Sequence, residues 1–273
     1  MELFKTYTSK IILANIIIYI LVVILNSFLG ETTVLGYLAL SPENIINGNN
    51  LWSIFTSIFM HANLAHLFVN MFSLFFIGNF VEQLIGKKRF ILFYLLSGIF
   101  ASIFFALLSG FFGFGYWGSN IFGDPKIMGV GASGAIFGLL GFLSVITPRN
   151  RVYLIAGPLI AIVLESILST FIPIQLSALV SILISIYFIF SLLVMFSFNP
   201  KLKRLAVPIT ISFWTLPIIA IVPLVLIDLI PTIDLPIGNM AHLGGLIFGL
   251  LYGFYLKKKY PNKTKMISQL FSR

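Results

Sequence analysis

The feature that most constrains this chain is a series of apolar runs about 20 residues long, which recur throughout the sequence. At about 1.5 Å of rise per residue, a helix of that length crosses the roughly 30 Å hydrocarbon layer of a bilayer. Only 9% of the 273 residues are charged, whereas soluble domains carry about 25%. These observations exclude a soluble globular protein and predict an all-α polytopic membrane protein. No linker or repeat divides residues 1–273, so a single integral-membrane domain is expected.

The apolar runs predict about eight transmembrane helices. Their predicted bounds are 11–29, 54–81, 90–112, 132–147, 152–171, 175–197, 205–230 and 239–256. No small-residue cleavage site of the secretory type follows the first run, so we expect it to be retained as an anchor.

The basic residues predict the orientation of the chain. Most of them fall in alternate loops and in the two tails, and Lys126 is the exception. By the positive-inside rule, both termini are expected in the cytoplasm and the 30–52 and 113–131 loops outside, most simply in the cell membrane. The formal charge of +9 therefore reflects topology and does not indicate a nucleic-acid partner. The expected surroundings are the lipid bilayer.

The chain has no cysteine, which excludes disulfides, thiol catalysis and cysteine-based metal sites. Neither a metal nor another cofactor is expected.

Polar residues inside the spans are the candidates for function, because an ionisable group at a helix centre costs about 2.5–3.5 kcal/mol. These candidates are His61, His66, Asn70, Glu82, Ser133, Glu165 and His242. Glu82 lies near the end of its span and is expected to make a structural hydrogen bond or ion pair. Glu165 is assigned no chemistry.

Ser133 and His242 are predicted to lie at the same depth. Ser133 precedes Arg149 by 16 residues and His242 precedes Lys257 by 15, which places them roughly 24 Å and 22 Å above one boundary. Small residues around them allow the two helices to pack closely. These are Gly134, Gly138, Gly141, Ala241, Gly245, Gly249 and Gly253. An imidazole within about 2.6–3.2 Å of a serine can activate it, although either residue alone is more often a packing or hydrogen-bonding group.

His66 and Asn70 are spaced i, i+4 and therefore share one face of the second predicted span. Asn70 lies roughly 25 Å above the same boundary by helical rise. Side-chain N–H groups at that depth can donate to a developing oxyanion. An ordinary interhelical hydrogen bond is the alternative for Asn70.

Three motifs in this order resemble the rhomboid family of intramembrane serine proteases. They are His61-x4-His66-x3-Asn70, Gly131-Ala132-Ser133-Gly134 and Ala241-His242-x2-Gly245-x3-Gly249. The resemblance places the core motifs in 50–147 and 237–256. It implies a rhomboid-like helical bundle with a six-span core and two additional spans within 150–231.

The resemblance also implies roles for the residues. Ser133 would be the nucleophile, His242 the general base, and His66 and Asn70 the oxyanion hole with the Ser133 N–H. A structural role near the site is implied for His61, Gly131, Phe137, Gly245 and Gly249, with Phe137 stacked on His242. The implied substrates are transmembrane protein segments that unwind locally, because a hydrogen-bonded helix hides its scissile carbonyl.

Three other functions are considered. A catalytically silent rhomboid-like protein that binds membrane helices is disfavoured because both Ser133 and His242 are present. A small-solute transporter typically has an internal repeat, which this sequence lacks. A metalloprotease of the H-E-x-x-H type is disfavoured because that motif does not occur.

Overall fold

A computed structural model describes residues 5–155, 157, 160–161, 164, 168, 172–195, 199–219, 221–222 and 238–270. Its helices, in chain order, are α1 (Tyr7–Leu29), α2 (Glu31–Leu38), α3 (Pro42–Ile46), α4 (Ser53–Thr56), α5 (Leu64–Ile85), α6 (Lys87–Phe112), α7 (Gly115–Phe122), α8 (Ser133–Ile146), α9 (Ile174–Met195), α10 (Pro200–Leu205), α11 (Asn239–Lys259) and α12 (Pro261–Leu270). Single 3-10 turns occupy Ser57–Phe59 and Phe213–Thr215, and two strands are β1 (Arg151–Ile155) and β2 (Pro208–Ser212).

The helical polytopic fold is confirmed. Within the described residues, α1, α5, α6 and α11 are long and apolar enough to cross a bilayer. The helix α8 and the segment Leu176–Ser191 of α9 are shorter apolar helices. The 14 residues of α8 rise roughly 21 Å, which is less than the thickness of the hydrocarbon layer.

The predicted span 54–81 has the wrong bounds. Residues 53–59 form short helical turns, and the chain is extended at Met60 before α5 begins at Leu64. The new start is fixed by Asn63, whose Oδ1 accepts a hydrogen bond of 2.8 Å from the His66 backbone N–H. Such a cap satisfies one of the free donors at a helix N-terminus.

The predicted spans 152–171 and 205–230 are wrong at their first residues. Strand β1 pairs with β2 in antiparallel register, with Arg151 opposite Ser212 and Ile155 opposite Pro208. Both segments are rich in β-branched residues, which favour extended backbone. Most of the remainder of the first span, including Glu165, and half of the remainder of the second lie outside the described residues. The count of eight spans therefore stays a prediction.

Glu82 makes the structural hydrogen bonds expected of it. Its Oε1 accepts from the Tyr7 backbone N–H at 2.9 Å, and its Oε2 accepts from the Thr8 N–H and hydroxyl at 2.8 Å each. A carboxylate is favoured at the positive end of a helix. Gly78 allows this contact, because a Cβ there would lie 2.9 Å from Thr8 Cγ2. The start of α1 is thereby fixed to the end of α5.

The helices α8 and α11 are in backbone contact. A Cβ added to Gly245 would collide with the Gly134 carbonyl oxygen, and one added to Gly249 would collide with that of Gly138. Glycine is therefore required at both positions for this separation. The other side of α8 is enclosed by the core, where Leu139 and Leu143 have no exposed surface. The predicted small-residue contact between the two helices is present and fixes where their side chains meet.

Candidate active site

Ser133 and His242 form a direct hydrogen bond in the bundle. Ser133 is the first residue of α8, and His242 lies in the first turn of α11. The distance between Ser133 Oγ and His242 Nε2 is 2.8 Å. Ser133 is half-buried and the His242 side chain is 9% exposed. The distance is within the range in which an imidazole takes a proton from a hydroxyl.

The orientation of His242 is set by an aromatic ring. Phe137 lies one helical turn beyond Ser133, and its ring stacks on the imidazole with centroids 4.3 Å apart and 7° between planes. His242 Nδ1 is buried and has no hydrogen-bond partner within the described part of the chain. When the Ser133 hydroxyl donates to Nε2, the imidazole proton is on Nδ1. Stacking therefore takes the place of the acceptor that commonly holds a catalytic histidine.

Gly131 lies between the His66 ring and the serine. Its φ is +129°, a conformation that favours glycine. A Cβ on Gly131 would lie 2.9 Å from His66 Nε2 and 3.6 Å from Ser133 Oγ. A side chain at this position would therefore collide with the His66 ring and contact the Ser133 hydroxyl.

Main-chain hydrogen bonds hold this segment in place. The Gly131 N–H donates to the Ser57 carbonyl at 2.9 Å. Leu40 and Gly129 exchange two hydrogen bonds of 2.8 and 3.0 Å. Sequence reasoning missed Ser57 and Leu40, because their contribution is a backbone carbonyl or amide and leaves no trace in residue type.

His66 and Asn70 lie on one face of α5, as predicted. His66 is half-buried in the first turn, and Asn70 is buried one turn later. Asn70 Nδ2 donates to the His66 carbonyl at 3.0 Å. A carboxamide nitrogen has two N–H groups, so this bond leaves one donor on Asn70.

His61 lies in the loop before α5 and packs against His66. The two ring centroids are 5.2 Å apart, and the planes meet at 67° in an edge arrangement. His61 is 5% exposed, and neither of its ring nitrogens has a hydrogen-bond partner among the described residues. The contact places the edge of one ring against the face of the other.

The N-terminus of α8 supplies the last feature of the site. No side chain caps this helix, and the first N–H groups of a helix have no intrahelical partner. The positive end of the helix dipole lies at the same place. An oxygen that becomes negative next to Ser133 therefore meets free N–H donors. The described residues contain no group of three or more metal-ligating side chains.

A family model for the rhomboid domain matches residues 48–187 and 187–259, which is most of the chain. The chain belongs to the rhomboid family. The family membership that the three motifs indicated is therefore confirmed, and this rhomboid is an integral multi-pass membrane protein.

Three relatives illustrate the range of this similarity. RHOMBOID-like protein 6, mitochondrial, of Arabidopsis thaliana is 36% identical over 118 residues, 42% of this rhomboid and 34% of the relative. Rhomboid protease GluP of Bacillus subtilis (strain 168) is 32% identical over 146 residues, 54% and 25% of the two chains. Inactive RHOMBOID-like protein 8 of Arabidopsis thaliana is 32% identical over 111 residues, 41% and 27%.

The matched region is about a third or less of the length of these relatives. One of them is named a protease and another is named inactive. Membership in the family therefore does not show whether a rhomboid is active. The observation that bears on activity in this chain is the geometry of Ser133 and His242.

Proposed function

We propose that this rhomboid is an intramembrane serine endopeptidase that cleaves transmembrane segments of other membrane proteins. The observation that carries the proposal is the 2.8 Å hydrogen bond between Ser133 Oγ and His242 Nε2, two atoms from residues 109 positions apart. In this mechanism Ser133 is the nucleophile and His242 is the general base.

The first half of the reaction forms an acyl-enzyme. As Ser133 Oγ attacks the scissile carbonyl carbon, the hydroxyl proton moves to His242 Nε2. The carbonyl oxygen becomes an oxyanion in the tetrahedral intermediate. This intermediate collapses when the peptide C–N bond breaks and His242 gives its proton to the leaving amine.

The second half releases the acyl group. A water molecule attacks the ester carbon while His242 Nε2 takes one of its protons. The ester bond to Ser133 then breaks, and the proton returns from His242 to the serine oxygen. The carboxyl product leaves, and the enzyme is restored.

Three donors suit the oxyanion. The Ser133 backbone N–H is at the free N-terminus of α8, and the His66 ring faces the space beside Gly131. The second N–H of Asn70 is the third donor. Fixed donors of this type stabilise the transition state because they need no reorganisation when charge develops.

The proposed substrates are transmembrane segments with a locally weak helix. Ser133 lies at the start of a helix of only 14 residues, so the nucleophile is sunk within the bundle between longer helices. A peptide carbonyl reaches it only if its helical hydrogen bond is broken. Segments that contain helix-breaking residues satisfy this requirement.

A single domain with the core motifs in 50–147 and 237–256 is part of the proposal. The segments within 150–231 bring none of the motif residues, and we place them outside the catalytic helices. Phe213 stacks on Phe80, with ring centroids 5.8 Å apart and planes at 21°, and it belongs to the buried cluster that contains Leu143 and Ile146 at the end of α8 away from Ser133. Phe80 lies on α5, four turns away from His66.

A fluorophosphonate probe, which reacts with activated serines, tests the proposal. The folded wild-type protein in lipid nanodiscs should label and should cleave a reporter whose transmembrane segment contains helix-breaking residues. Ser133→Ala should abolish both. The matched control is Ser144→Ala on the same helix, since Ser144 Oγ donates to the Gly141 carbonyl at 2.7 Å and lies away from His242.

The control variant should label and cleave as the wild type does. If folded wild-type protein neither labels at Ser133 nor cleaves the reporter, the protease function is wrong. The silent helix-binding function then takes its place, in line with the relative named inactive.

A further inference from the structure

The helix α12 has one face that packs on the bundle. Thr264 is buried, and Ile267, three residues later, is half-buried. Ile267 packs against the buried cluster that contains Leu143 and Ile146 of α8. Residues three apart lie on one side of a helix, so this face is fixed to the protein.

A second face of α12 is apolar and exposed. Met266 is 56% exposed and Leu270 is 65% exposed. They are spaced i, i+4 and form a strip that points away from the Thr264 face. An apolar strip on an otherwise polar helix is unfavourable in water and favours a lipid or protein cover.

Two exposed lysines lie on either side of this strip at different distances. At 100° per residue, Lys263 lies about 20° beyond Leu270, and Lys265 lies about 100° from Met266 on the other, polar side of the helix. Both are exposed, and Lys263 Nζ lies 6.0 Å from the ring centroid of Tyr260. Apolar side chains between exposed lysines are typical of helices that lie in a membrane surface.

The surroundings of α12 are strongly basic. Lys257, Lys258 and Lys259 at the end of α11 are exposed, as are Lys87, Lys88 and Arg89 at the start of α6. Among the acidic residues that the structure describes, Glu82 is the one at this end of the bundle. Its carboxylate accepts hydrogen bonds from Tyr7 and Thr8 at the start of α1. The charge of this face is therefore complementary to anions.

The chain also bends where the span ends. The helix α11 finishes at Lys259, Tyr260 has φ −131° and ψ 59°, and Pro261 begins α12. The two helices therefore run in different directions. The change of direction follows directly after the three lysines that mark the end of the apolar stretch.

We propose that α12 lies in the membrane surface and binds anionic phospholipids. Met266 and Leu270 insert among the acyl chains, and Lys263 and Lys265 contact the headgroup phosphates. The bound partner is a lipid, since a free phosphate ion would leave the apolar strip uncovered. This inference does not depend on the proposed protease function.

The absence of cysteine allows a clean test on the full-length chain. Met266→Cys is labelled with the fluorophore bimane. The matched control is Ser268→Cys, which lies about 200° around the same helix from Met266 and is half-buried. Each protein is placed in phosphatidylcholine nanodiscs that contain either brominated phosphatidylglycerol or brominated phosphatidylcholine. Bromine quenches the fluorophore on contact. We expect the label at 266 to be quenched more by the brominated anionic lipid, and the label at 268 to be quenched little by either lipid.

Lysine variants then test the charge. In Lys263→Gln/Lys265→Gln, the preference for the anionic lipid should fall by up to about 30-fold, since each lysine near an anionic surface contributes about 1 kcal/mol. Lys263→Arg/Lys265→Arg should keep it. Equal quenching by the two brominated lipids in the presence of both lysines overturns the proposal. So does an unquenched label at 266, whether that position faces water or a protein partner.

Discussion

Phe137 lies parallel to the His242 ring, with 4.3 Å between ring centroids and 7° between planes. The two residues belong to different helices, and the stack holds the ring that we propose as the general base for Ser133. His242 Nδ1 has no hydrogen-bond partner among the described residues, so the ring is oriented by contact with an aromatic face. Phe137 is thus a positioning residue in the proposed mechanism.

Replacing Phe137 tests this role. Phe137→Leu removes the stack while keeping an apolar side chain, and Phe137→Tyr keeps the ring. Aromatic pairs contribute about 0.5–1.5 kcal/mol beyond the area they bury. We therefore expect kcat for reporter cleavage to fall by about 3- to 10-fold in Phe137→Leu and to change little in Phe137→Tyr. Equal loss in both variants would contradict a stacking role.

The helical fold and the contact between Ser133 and His242 were predictable because membrane insertion imposes strong rules. A helix has a fixed rise, so distance from a basic boundary gives depth, and the two residues came out at similar depths. The glycines at 138 and 249 indicated a close approach of the two helices, and the structure has it.

The bounds near 53–63 and 151–155 were not predictable from apolar character alone. Asn63 begins α5 through a local cap, which outweighs the apolar residues before it. Strand β1 depends on pairing with β2 more than 50 residues away, and such a contact has no periodic signal within one segment. His61 also looked equivalent to His66 in the sequence, and only packing separates their positions.

Orientation in the membrane is a prediction that reporter insertion can check. The basic loops place both termini in the cytoplasm and the 113–131 loop outside. An epitope inserted after Gly115 should be accessible to antibody on intact cells, whereas one placed after Lys201 should need permeabilised cells. If Lys201 proves to be external, the orientation is wrong, and the boundary from which the depth of Ser133 was calculated lies on the other side of the membrane.

Close packing of α8 on α11 predicts a large effect on stability. In Gly249→Ala the added methyl group collides with the Gly138 carbonyl oxygen, and overpacking of this kind costs about 1–3 kcal/mol. The temperature of unfolding in detergent should fall by several degrees. The control is Gly36→Ala in α2, where a Cβ meets nothing within 4 Å. That variant should unfold at the wild-type temperature or slightly above it.

Asn70 should act differently from the dyad. Ser133→Ala and His242→Ala should each abolish measurable cleavage, because the nucleophile and its base act as one unit. Asn70→Ala leaves that unit intact and removes one oxyanion donor, which costs at most about 10²–10³ in turnover. The serine in this variant should still label slowly with a fluorophosphonate. If the variant labels at the wild-type rate and its turnover is unchanged, Asn70 does not stabilise the oxyanion. Its role is then limited to the hydrogen bond with the His66 carbonyl.

Replacing Gly131 distinguishes an effect on the active site from an effect on the stability of the fold. The φ of Gly131 is +129°, and a Cβ added there would lie 2.9 Å from His66 Nε2, so Gly131→Ala adds both backbone strain and a methyl group between His66 and Ser133. Gly30→Ala is the matched control, because Gly30 has φ +82° but a Cβ there meets nothing within 4 Å. Strain of this type costs about 1–3 kcal/mol, so both variants should unfold at a lower temperature than the wild type, and Gly131→Ala, which also crowds His66, should lose at least as much stability as Gly30→Ala. Only Gly131→Ala should also lose cleavage, by at least about 100-fold, since the methyl group occupies the space proposed for the oxyanion. If folded Gly131→Ala cleaves the reporter as fast as Gly30→Ala does, the oxyanion does not form beside His66.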